Sequence, residues 1–171
     1  MVHSAIMTVI KDQTQRSLWS LHNVIDCIPD NIWSKLYCGT PLWKHVYHTL
    51  HSLDRCYINP YLFEEPKFHI DGLNDLNTPT IEFLSRDTLK EYANQVEGKI
   101  NAFLNTFAEE TLLERPEQCP FTRFQLIFAQ HRHLDMHIGM LMGFIITETG
   151  RWPKVLGLME DIKTREVCEY D

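Results

Sequence analysis

Residues 121–150 read FTRFQLIFAQHRHLDMHIGMLMGFIITETG, and the reading of this stretch decides the fold class. Apolar residues recur along it at helical spacing, with Leu126, Met140, Leu141 and Phe144 near one stripe. Gly150 follows the last periodic residue and Pro153 lies just beyond, the usual punctuation of a helix C-terminus. A helix is therefore expected from Phe121 to about Thr149. Within it His133 and His137 are four residues apart, so they stand one turn above the other, roughly 40° apart around the axis. They share the apolar stripe and should point inward.

Working outward, the chain divides into three more helices. The first is expected from about Ser4 to Ile28, through Ile10, Leu18, Leu21, Val24 and Ile25, and Pro29 ends it. Asp30 can cap a short turn over Ile32, Trp33 and Leu36. Thr40 reads as the N-cap of the second helix, with Pro41 at its first position and its end near Asn59, before Pro60. Ser85 reads as the N-cap of the third, which runs to about Glu110 through Leu89, Tyr92, Val96, Ile100 and Phe107. Residues 60–84 lack periodicity and form a long connection, a kind of segment that often carries function. A short helix is expected in the tail around Val155 to Ile162. No strand-like alternation competes. The expectation is an all-α four-helix bundle in one domain, residues 1–171, with the bundle over about 4–150 and a tail over 151–171.

Composition narrows the function classes. Lys+Arg 16 against Asp+Glu 23 gives a net charge of −7, and no basic stripe is present to neutralise phosphates, so nucleic acid is not an expected partner. No apolar run reaches the ~20 residues that span a bilayer. The opening MVHSAIMTVIKDQTQ lacks the pattern of a secretory leader, so the cytoplasm is the expected location. The five cysteines form no CxxC pair and are expected to be buried or idle thiols.

The nine histidines cluster, and six lie in two short segments. An HxxxH pair on one helix can be a pair of hydrogen-bonded core residues, or it can hold a cation at ~2.0–2.1 Å per nitrogen. Two inward imidazoles in an apolar site need partners, and a third from another helix would supply one. The second helix offers His45, His48 and His51 in PLWKHVYHTLHSLD. Helical phase places His45 nearest the core, His48 on its flank and His51 most exposed, and does not choose among them. Nearby carboxylates offer little. Asp135 should face away from the pair, Asp54 fits a capping or inter-helix role, and Glu64 and Glu65 fit a solvated loop. Trp43, Tyr47 and Tyr57 fit the core.

The segments VYHTLHSLDRCY and HRHLDMHIGMLMGF resemble the two signature stretches of the DinB/YfiT-like family of metal-dependent proteins. The resemblance covers helix order and length over roughly residues 1–150. It implies an up-down bundle with a metal held by one histidine of the second helix and the HxxxH pair of the last. It places those ligands on His48, His133 and His137. Three imidazoles leave coordination positions open, and zinc or nickel suits an all-nitrogen set. The family likeness further implies a small-molecule substrate, hydrolase or thiol-dependent transferase or isomerase chemistry with a low-molecular-weight thiol, and a homodimer.

Overall fold

The structure, a computed structural model, describes residues 5–80, 82–106, 108–164 and 166–171. Four long helices dominate: α1 (Ala5–Cys27), α2 (Leu42–Tyr57), α3 (Arg86–Thr106) and α4 (Arg123–Thr149). Helix α2 packs on α3 and α4, and α1 packs on the same two. One apolar core draws on all four, with Leu21, Val24, Val46, Leu50, Ile100 and Leu141 almost fully buried. No helix among the described residues is long and apolar enough to cross a membrane.

Local chemistry explains three of the helix ends. Thr122 and Gln125 form a reciprocal capping box: Gln125 N–H donates to Thr122 Oγ1 (3.2 Å), and Thr122 N–H donates to Gln125 Oε1 (2.8 Å). Helix α4 therefore starts two residues later than its apolar pattern suggested. It ends on Gly150, whose φ of 69° only glycine adopts without strain and whose N–H reaches the Ile146 carbonyl. Ser85 caps α3 as read, accepting from Thr88 N–H at 3.1 Å. That helix stops at Thr106 rather than Glu110, and a 3-10 turn occupies Glu109–Thr111. Ser4 and Phe107 lie outside the described residues.

Three expectations need correction. The segment before α2 is a two-stranded antiparallel hairpin, β1 (Leu36–Tyr37) and β2 (Thr40–Pro41). Its turn residues Cys38 and Gly39 both have positive φ, 51° and 82°, which matches the twist of a tight hairpin. Thr40 is thus a strand residue, not an N-cap, and its hydroxyl donates to the Leu76 carbonyl at 2.7 Å. Asp30 opens the 3-10 turn Asp30–Ile32 without capping it; its carboxylate pairs with Arg86 at 3.1 Å. The tail forms no helix in its described residues. It runs back along α1, where the fully buried Asn23 donates to the carbonyls of Lys154 (2.9 Å) and Glu169 (2.7 Å) and accepts from Glu169 N–H (2.7 Å).

The long connection from residue 58 to 85 is tied to β2 and to α2. Thr40 holds Leu76, the Lys44 ammonium donates to the Thr78 carbonyl, His48 meets Asn74, and His51 meets Glu65. This is why α2 is buried nearly all round, Lys44 and His51 included.

Asp54 has the inter-helix role: its carboxylate accepts from Lys99 Nζ (2.8 and 2.9 Å) and from Tyr92 Oη (3.0 Å), both on α3. Asp54→Ala leaves the Tyr92 hydroxyl buried without its acceptor and should lower stability by about 2 kcal/mol. Lys99→Ala should also lower stability, because the Asp54 side chain is only 4% exposed and would lose its cation. Urea unfolding of both variants checks this, and a Lys99→Ala chain as stable as the wild type would contradict it.

Candidate metal centre

His48 on α2 and the pair His133 and His137 on α4 face one another where these helices pack. One nitrogen from each ring lies within 4.8 Å of the others. The ring centres are 4.4 Å apart for His133–His137, 4.8 Å for His48–His137 and 5.8 Å for His48–His133. The α4 pair meets Nε2 to Nε2 at 3.1 Å. A tetrahedral cation with bonds of ~2.05 Å would place its ligand nitrogens about 3.3 Å apart, so the pair is already near chelating separation.

His48 is oriented by the connection. Its Nδ1 lies 2.6 Å from the main-chain carbonyl of Asn74. A carbonyl only accepts, so Nδ1 carries the proton and Nε2 presents a lone pair to the other two rings. This is the outer-shell contact that fixes a metal-binding tautomer. His137 Nδ1 is buried with no hydrogen-bond partner among the described residues, so the ring's polar contact there is the one from Nε2 to His133 Nε2, on the side where a cation would bind. Burial pushes the His137 imidazole down to about 4, helped by the neighbouring His133 and His48, and burial likewise lowers His133. Both are therefore neutral at pH 7, the form that ligates. The group could hold a metal ion.

The other histidines of α2 are engaged elsewhere. His45 is buried as its phase indicated, and its Nε2 donates to the Tyr37 carbonyl of the hairpin at 3.1 Å. His51 is the correction: it is 2% exposed, not the most open of the three, because the connection folds over it and brings Glu65 to 2.7 Å from its Nε2. Glu65 is accordingly more than a solvated loop residue. Asp135 does face away, accepting from Ser17 of α1 at 3.0 Å. Trp43, Tyr47 and Tyr57 are core residues. The Asn74 carbonyl carried no signal in the sequence, since any residue type supplies one and only the path of the connection places it. No family model, curated protein or solved structure matches the chain.

The depressed His137 value has a consequence for the metal-free protein. The unfolded chain takes up a proton near the ordinary value of about 6.5, while the folded site resists until about 4. Stability is thus full above about 6.5 and is lost as pH falls through that window, by about 2 kcal/mol at pH 5 from this residue. Denaturant unfolding of chelator-treated protein at pH 7.5 and pH 5 measures it, and His137→Asn should shrink the difference. A stability that is flat or rises on acidification contradicts the assignment.

Proposed function

We propose that this chain is a divalent-metal-dependent enzyme of the DinB-like superfamily, an up-down bundle that holds its ion on His48, His133 and His137. Its substrate would be a small molecule. Its chemistry would be hydrolysis, or transfer or isomerisation with a low-molecular-weight thiol. The observation that carries this reading is the convergence of three imidazoles from two helices. Among the described residues no fourth His, Cys, Asp or Glu joins the group. Closed four-ligand sites are structural, whereas three-ligand sites keep positions for water or substrate. The two sequence motifs and the order of the helices support the family assignment.

A zinc or nickel ion there would supply a Lewis acid able to polarise a carbonyl or hold a thiolate. The chain's own contribution is positional. The Asn74 carbonyl holds the His48 ring and its tautomer, and burial keeps His133 and His137 unprotonated. Asp54 and Asp135 are committed to α3 and α1, so neither serves as the general base. The homodimer that the likeness implies would find an apolar surface between α1 and α4. A groove of about 480 Å³ there is lined by Ile6, Val9, Phe124 and Phe128, all substantially exposed.

His133→Ala and His137→Ala should each lower bound metal by one ion per chain and abolish turnover on ester, amide or thiol-conjugation panels. Elemental analysis of purified protein reads the first effect directly. Unchanged metal content in either variant would remove the reading. Chelation that lowers the melting temperature while every panel stays silent would point instead to a non-catalytic metal-binding bundle.

A further inference from the structure

A second constellation lies on the same helix, away from α4. His51 of α2 meets Glu65 and His69 of the connection, and one ligand atom from each lies within 4.8 Å of the other two. His51 Nε2 is 2.7 Å from Glu65 Oε2, and His69 Nε2 is 3.8 Å from the same oxygen. The two imidazoles are stacked, 5.0 Å between centres and 20° between planes. Two imidazoles sharing a cation at ~2.05 Å per bond, at angles between 90° and tetrahedral, have centres about 4.5–5.2 Å apart. The ring centres already stand at that spacing, and a turn of the His69 ring would bring both in-plane lone pairs onto one ion.

We propose that His51, Glu65 and His69 form a second cation site, a two-histidine, one-carboxylate set for a first-row divalent ion, which clasps the 58–85 connection onto α2. Two further observations indicate a built site. The non-ligating nitrogen of His69, Nδ1, lies 2.6 Å from the hydroxyl of Tyr47, a side chain with no exposure. In the tautomer that frees Nε2 for a cation, Nδ1–H donates to Tyr47 Oη, the outer-shell partner that ligating histidines require. The ligands also differ in access. His51 is sealed in the interior, whereas the Glu65 side chain is 42% exposed and gives the site a solvent-facing side through which an ion can enter. Without the cation, His51 Nε2–H donates to Glu65; binding would release that proton to solvent and move the nitrogen and oxygen apart from 2.7 Å to about 3 Å.

The two sites are physically linked. Glu65 and His69 belong to the segment whose Asn74 carbonyl orients His48, so a cation at the second site would fix the course of the chain toward the first. The second site nevertheless stands or falls independently, because it shares no ligand with the first.

The test is metal stoichiometry by equilibrium dialysis of chelator-stripped protein against Zn(II) alone. The wild-type chain should take up two ions, and His133→Ala, His69→Ala and Glu65→Gln one each. The double variant His133→Ala with His69→Ala should take up none. Glu65→Gln keeps the size of the side chain and a carbonyl acceptor for His51, so it serves if His69→Ala fails to fold. In the His133→Ala background, Zn(II) should also slow tryptic cleavage after the exposed Lys67, and the added His69→Ala should abolish that protection. A wild-type chain that binds the same number of ions as Glu65→Gln overturns the proposal and leaves a hydrogen-bonded cluster. Loss of an ion in His69→Ala but not in His133→Ala supports the second site while removing the first.

Discussion

The contact between His48 Nδ1 and the Asn74 carbonyl is the constraint on which the metal centre depends. An imidazole on a helix can rotate and can carry its proton on either nitrogen. An acceptor-only partner removes both freedoms at once, and it leaves a lone pair aimed at the α4 pair. The partner comes from the connection rather than from the bundle. The site is therefore a product of three elements, not two: α2 supplies a ligand, α4 supplies two, and the segment between α2 and α3 sets the geometry.

That dependence accounts for the unusual burial of α2. A helix in a four-helix arrangement ordinarily keeps one face for solvent. Here the solvent side carries Lys44, His51 and the His48 flank, and each meets the connection through a polar contact. Burying such groups unpaired would cost several kcal/mol, so the connection must supply a partner for each of them. A segment without helix or strand can be well defined when polar side chains beneath it demand particular main-chain atoms.

The helices were legible because their signals are local. Ser85 and Gly150 mark ends by chemistry confined to a few residues, and the HxxxH pair shares a face by periodicity alone; the Thr122–Gln125 box is just as local, but the apolar run from Phe121 masked it. What periodicity could not do was rank His45, His48 and His51. The exposure of His48 and His51 is decided by a loop more than ten residues away along the chain, and the family likeness supplied the choice of His48. The hairpin at Leu36–Pro41 escaped because two-residue strands are too short to show alternation. The tail escaped for a different reason. Val155 to Ile162 has helix-like spacing, but its backbone is drawn out along α1 by side chains from that helix, so tertiary contacts override local preference.

The strap over α1 bears on how the molecule is assembled. Asn23 has its amide matched by main-chain groups that come 131 and 146 residues later. Until they arrive, that notch on the first helix must remain hydrated, because sealing an unmatched amide is unfavourable. Synthesis proceeds from the N-terminus, so α1 is made well before the backbone that completes it, and its Asn23 notch loses its water only when that backbone docks. The closing contact is strongly non-local, the kind whose loop entropy must be met before it rewards the chain.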